Sequence, residues 1–239
     1  MHWLTPVDLY CERTSAAFWA EPVNALTNLA VVVPVAWAVA AARARGERDP
    51  LVWALIWLAG LMGAGSFVFH TFATRWAELI DIVPIWLFMV LFIYAAWARM
   101  LARGRGHKRV FATLAVLGVA GAALAQAEAG AAAEAAAAGA AVALWQGTGQ
   151  YLPAVCAVGA LVFGLWRRRH PAWRWVLAAL ASFAVALASR ALDQPLCAVF
   201  PPGTHFMWHI GNGLMLAFLL QMLIRSPAPR GRQNDSATR

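Results

Sequence analysis

The sequence predicts an all-α membrane protein, a bundle of seven transmembrane helices with its N-terminus outside and its C-terminus inside. Three observations carry this. Of 239 residues, 62% are hydrophobic and only 13% are charged, with a mean hydropathy of +0.62; a soluble domain is usually about half apolar and about a quarter charged. The apolar residues fall in runs long enough to cross a bilayer, whose hydrocarbon core takes about 20 helical residues. The Lys and Arg residues fall in alternate connections, which all lie on one side of the membrane only if there are seven spans.

Residues 1–24 precede the first run. They carry Asp8, Glu12, Arg13 and Glu21 and so do not form the apolar core of a cleavable leader. The first span is therefore expected to act as the insertion signal. Spans are expected at 25–42, 51–72, 78–97, 110–127, 152–166, 173–192 and 205–223. The Ala/Gly-rich stretch 122–149, with Glu128 and Glu134, reads as a helix extension, a surface helix or a loop. The tail 226–239 is polar and is expected to be disordered. The chain thus divides into an extracytoplasmic segment 1–24, a membrane domain 25–225 and a cytoplasmic tail 226–239.

Orientation follows from the basic residues. Arg43, Arg45 and Arg48 fill the first connection, and Arg99, Arg103, Arg105, Lys108 and Arg109 the third. Arg167, Arg168, Arg169 and Arg174 surround the fifth, and Arg225, Arg230, Arg232 and Arg239 follow the last span. The other connections are poor in positive charge. A net charge of +8 spread in this way is a topology signal and argues against nucleic-acid binding. The basic, Ala-rich composition points to a bacterial inner-membrane protein whose outer half faces the periplasm.

Three histidines share one depth under this topology. His70 ends the second span, and His205 and His209 open the seventh. Ionisable side chains inside a bilayer are costly and mark functional sites. His205 and His209 are spaced i, i+4 and so face one side of a helix. Three imidazoles are also the smallest protein shell of a catalytic zinc ion. Ser66 lies one turn below His70, and Asp81 lies about one turn into the third span. A carboxylate there suits a general base that later acts as an acid, and a hydroxyl suits an oxyanion donor. Each residue alone also has a packing explanation. HxxxH recurs by chance, Asp81 suits a helix N-terminus, and Ser66 beside Gly63 and Gly65 suits close helix packing. Their convergence from three helices weighs toward chemistry.

The remaining polar groups read as structural. His2, His107 and His170 are expected in water, and Glu78 at the headgroup level, with a second acid near the metal as the alternative. Trp208 is expected to pack, and Arg190 and Asp193 to pair along one helix. Cys156 sits in an apolar run and is expected to be a packed, inert thiol. Cys11 and Cys197 lie in polar segments and can pair if those segments share an oxidising compartment.

The blocks DLYCERTSAAFWAEPVNALTNLA, GSFVFH with Asp81 eleven residues after its histidine, and HFMWHIGNG resemble the alkaline ceramidases. These belong to a wider superfamily that includes adiponectin-receptor-like proteins. The resemblance covers the N-terminal segment, the first three spans and the start of the last. It implies a seven-helix zinc amidase that cleaves ceramide, or a related N-acyl lipid, to a fatty acid and a sphingoid base. It implies zinc on His70, His205 and His209, Asp81 as the base and Ser66 as its assistant. It implies a disulfide between Cys11 and Cys197. It also implies a calcium ion on the N-terminal loop, with Asp8, Glu12, Glu21 and Asn24 as ligands. That loop departs from the family pattern. Asp8 is one residue out of register, Thr14 replaces an asparagine, and the loop is shorter by about two residues. The alternative is a zinc-containing lipid receptor or sensor of the same superfamily. A proton-relay transporter fits less well, because a relay spreads its ionisable groups through the membrane depth.

Overall fold

The computed structural model describes residues 3–101 and 148–226. Among these residues the protein is helical, with one isolated β-bridge, between Pro6 and Thr74, and no strand. The helices are α1 (Pro22–Thr27), α2 (Val32–Ala44), α3 (Pro50–Phe72), α4 (Arg75–Ala96), α5 (Leu152–Arg167), α6 (Trp173–Leu196) and α7 (His205–Arg225). A 3-10 turn, Asn28–Val31, joins α1 to α2, a π-turn, Trp97–Leu101, extends α4, and a 3-10 turn, Gly149–Tyr151, leads into α5. Among the described residues six stretches are long and apolar enough to cross a membrane: Pro22–Ala44, Pro50–Phe72, Arg75–Met100, Gly149–Arg167, Trp173–Leu196 and His205–Arg225. They coincide with six of the seven expected spans. The expected span 110–127 lies outside the described residues, as do most of the Ala-rich stretch and most of the tail.

Helix boundaries follow local chemistry. Asp49 caps α3, its side chain accepting from the Leu51 N–H at 2.9 Å, and Pro50 takes the first helical position. The same helix ends where Ala73 turns left-handed at φ 42°. The spans start earlier or end later than hydropathy marks them, because helical hydrogen bonding continues through polar flanks. Thus α6 runs on to Leu196, past Arg190 and Asp193.

The last helix is the centre of the bundle. Two-thirds (67%) of its apolar window is buried, against 22–39% in the other five spans. The outer helices bury one stripe and turn Val33, Trp57, Leu61, Phe163 and Val185 outward, the surface that lipid covers. Cys156 also points outward, which corrects the expectation that it is packed. It sits on the side of α5 away from Val158, Leu161 and Leu165, which face the core.

Two glycines let helices meet at broken backbone hydrogen bonds. Pro84 has no N–H for the carbonyl of Ile80, four residues back. Gly65 of α3 packs against that carbonyl, and a Cβ there would also lie 3.3 Å from the Asp81 Cα. Pro34 likewise frees the Ala30 carbonyl, and Gly213 of α7 lies against it, with room for no Cβ. The first contact brings Ser66 alongside Asp81. The second brings the first span against α7, below His209.

The two ends of the bundle differ. At one, Arg99 binds the Asp49 carboxylate at 2.8 Å, Glu47 at 3.3 Å and the Leu223 carbonyl at 2.9 Å. His70 stands 20 residues further along α3 than Pro50, about 30 Å at the helical rise. The histidines therefore gather at the opposite end.

Candidate metal centre

The N-terminal segment closes that end. Its backbone pairs with the α3–α4 turn, the Val7 N–H donating to the Ala73 carbonyl at 2.8 Å and the Arg75 N–H to the Thr5 carbonyl at 3.2 Å. Cys11 is joined to Cys197 by a disulfide, with Cα atoms 5.3 Å apart. Asp193 was expected to pair with Arg190. Instead its carboxylate accepts three backbone N–H bonds, from Cys11 at 2.9 Å, Thr204 at 2.7 Å and His205 at 2.9 Å. One buried carboxylate thus ties the N-terminal segment to the start of α7 and aims the first turn that carries His205.

His70, His205 and His209 meet beneath this cover, each no more than 3% exposed. Their ligand-capable atoms lie within 4.8 Å of one another. Hydrogen bonding sets two of the tautomers. His70 Nδ1 lies 2.6 Å from Glu21 Oε2, and a carboxylate only accepts, so Nδ1 carries the proton. Thr27 donates its hydroxyl proton to the Val23 carbonyl at 2.8 Å, so its oxygen accepts from His209 Nδ1 at 2.8 Å. As neutral rings in these tautomers both histidines present Nε2 as an acceptor, and the two Nε2 atoms face each other at 3.1 Å. The buried Nδ1 of His205 has no hydrogen-bond partner.

Facing lone pairs and an unpartnered buried imidazole fit a cation. Two nitrogens about 2.0–2.1 Å from one tetrahedral zinc ion stand about 3.3 Å apart, close to the observed separation. Partners on the far ring nitrogens, here Glu21 and Thr27, are the usual support of metal-binding histidines. The donor set therefore suits zinc.

Asp81 and Ser66 stand beside the histidines. The Asp81 carboxyl interacts with the Ser66 hydroxyl, and Arg190 is a positive group that acts on it. Ser66 is buried and Asp81 half-buried. Glu78 instead pairs with Arg75 at 2.9 Å on the first turn of α4.

An aromatic wall stands against the histidines. Tyr10 stacks on His205 with ring centroids 3.5 Å apart. Arg190 donates to the Tyr10 hydroxyl at 2.5 Å and lies over the Tyr10, Tyr151 and Trp208 rings. Burial pushes the Tyr10 phenol well above its ordinary pKa, against the pull of Arg190, so it remains protonated. Trp208 packs as expected and also stacks against His205. Sequence reasoning did not find Tyr10, Thr27 or Arg13. All three act across the chain, and no local spacing marks them.

The expected calcium ligands do not form a cage. Asp8 is exposed. Glu12 caps α1 with both oxygens, accepting from the Val23 N–H at 2.6 Å and the Asn24 N–H at 2.8 Å. Burial nonetheless leaves its pKa raised. Glu21 gives one oxygen to Arg13 and the other to His70 and Asn24. Burial works against its ionisation, but the bonds from His70 and Arg13 outweigh it and its pKa is lowered. Calcium takes about six to eight oxygen ligands. Among the described residues the three histidines are the only such cluster of histidine, cysteine or acidic side chains. The residues present do not fit calcium.

Three imidazoles, a carboxylate and a hydroxyl thus gather at one end of a helical membrane bundle. The sequence model of the ceramidases matches residues 7–237, nearly the whole length, and the chain belongs to the ceramidase family. It is therefore an integral membrane hydrolase of an amide C–N bond, with the lipid ceramide as its substrate. A comparison with curated proteins returns no match.

Proposed function

We propose that the protein is a zinc-dependent ceramidase whose metal is held by His70, His205 and His209. The observation that carries this reading is the pair of Nε2 atoms facing each other at 3.1 Å, with their far nitrogens bonded to Glu21 and Thr27. Zinc in such a site supplies Lewis acidity, which polarises a carbonyl and acidifies water.

The protein's own residues do the rest. Asp81 takes a proton from the attacking water as its oxygen bonds to the amide carbon. The same carboxyl then delivers that proton to the amide nitrogen as the C–N bond breaks, leaving a fatty acid and a free amine. Ser66 orients Asp81 through its hydroxyl and stands ready to donate to the carbonyl oxygen as charge develops on it. Tyr10 and Trp208 hold the His205 ring, and Asp193 holds the backbone that carries it. The N-terminal cover excludes bulk water, so substrate reaches the centre from the membrane side.

The same reading places seven spans in the membrane, with 110–127 as the fourth, the N-terminus outside and the C-terminus inside. The cover and its disulfide would then face the oxidising periplasm of a bacterial inner membrane, and the Arg99 end the cytoplasm. The test is metal analysis combined with lipid hydrolysis. About one zinc per chain and release of fatty acid from ceramide support the reading. Metal-free protein that hydrolyses ceramide at full rate rejects it. A panel of N-acyl lipids in the same assay reports whether ceramide or a related amide is preferred.

A further inference from the structure

We propose that the Arg13 guanidinium is a built-in cation that stands where a divalent ion would otherwise bind, and that it positions Glu21 and, through it, His70. The inference rests on the zinc reading for what His70 does, and on contacts of Arg13 alone for the rest. Arg13 has four oxygen partners. It donates to one Glu21 oxygen, to the Ser15 carbonyl at 3.1 Å, to the Ala17 carbonyl at 3.4 Å and to the His70 carbonyl at 2.9 Å. One carboxylate and three main-chain carbonyls, with no nitrogen or sulfur, are the ligand chemistry of a hard cation. The side chain that collects them is 4% exposed.

A guanidinium suits this position because it is always charged and presents a rigid plane of donors. It neutralises Glu21 permanently. Glu21 is thereby left as a carboxylate whose other oxygen accepts from His70 Nδ1 at 2.6 Å and from Asn24 Nδ2 at 3.1 Å. Arg13 also holds the carbonyl of His70 itself, so one pair, Arg13 and Glu21, restrains both the ring and the backbone of that residue. A divalent ion added at this point would meet a full positive charge and would find Glu12 and Glu21 already committed. Where an exchangeable ion would make the loop responsive to its concentration, a tethered one does not. The chain is thus built to keep its metal centre ordered whether or not calcium is present.

The experiment uses the full-length protein in detergent or nanodiscs. Its thermal midpoint and its zinc affinity, read by chelator competition, are measured in millimolar calcium chloride and in calcium-depleted buffer that contains no other chelator. Both are expected to be unchanged between the two conditions. A midpoint or zinc affinity that rises with calcium overturns the proposal. Arg13→Ala is expected to weaken zinc binding about tenfold or more, in line with the loss of a partner behind a metal ligand. Arg13→Lys, which keeps the charge but not the fork, is expected to recover part of the loss and serves alone if the alanine variant does not fold. Zinc affinity as in the parent protein in both variants overturns the positioning role. A parent protein without zinc would instead reject the metal reading, and the calcium comparison on the midpoint would still decide whether Arg13 replaces the ion.

Discussion

Replacing Thr27 by valine is expected to weaken zinc binding while leaving the bundle folded. The two side chains have nearly the same shape, and Thr27 is only half-buried, so the packing of the first span against α7 survives. What disappears is the oxygen that lies 2.8 Å from His209 Nδ1. That oxygen acts as acceptor because the hydroxyl proton is committed to the Val23 carbonyl at 2.8 Å, with the Asn24 carbonyl at 3.1 Å beside it. Losing a neutral hydrogen bond costs about 0.5–1.5 kcal/mol, and an N–H left buried without a partner costs about 1–3 kcal/mol. Each 1.4 kcal/mol or so is tenfold in affinity, so the zinc Kd should rise roughly tenfold. Partners of this kind typically contribute about 10- to 100-fold in metal affinity, which brackets the estimate. The assay is competition for zinc against a chromogenic chelator, with Thr27→Ser as the control that keeps the oxygen. An unchanged Kd in Thr27→Val, or an equal loss in Thr27→Ser, would refute the assignment of Thr27 as the acceptor behind His209.

Other variants separate chemistry from structure. Asp81→Asn is expected to retain zinc and lower turnover by about 100- to 10,000-fold, the usual contribution of a positioned acid–base group; undiminished release of fatty acid would place the base elsewhere. Gly65→Ala forces a methyl group onto the Ile80 carbonyl and is expected to destabilise the bundle by about 1–3 kcal/mol, seen as a lower thermal midpoint. Gly60→Ala, where a Cβ meets nothing within 4 Å, is its control and should leave the midpoint unchanged or slightly raised. Cys197→Ser removes a link across 186 residues and is expected to cost roughly 2–5 kcal/mol, so a reducing agent should lower the parent midpoint and leave the variant untouched.

The parts of the fold legible in the sequence are those that one helix writes locally. Six spans, the shared depth of the histidines and the i, i+4 face of His205 and His209 need only hydropathy and helical period. The Cys11–Cys197 link needed the family resemblance. The support of the site was not legible, because it crosses the chain. Glu21 reads as a calcium ligand by resemblance, and nothing in the sequence marks Arg13. Their meeting with His70 depends on the N-terminal segment folding back over the α3–α4 turn. Asp193 and Arg190 are spaced for a helical pair, yet tertiary partners win: backbone N–H groups take the carboxylate and an aromatic wall takes the guanidinium. Cys156 misled for a different reason. In a membrane protein apolar surroundings do not mean burial in protein, since the outward face is apolar too.

The most direct measurement is fatty-acid release from a defined ceramide by purified protein that has been stripped of zinc and then reloaded. Release should vanish on stripping and return with zinc, but not with calcium. Full turnover by protein shown to hold no zinc would contradict the role given to His70, His205 and His209.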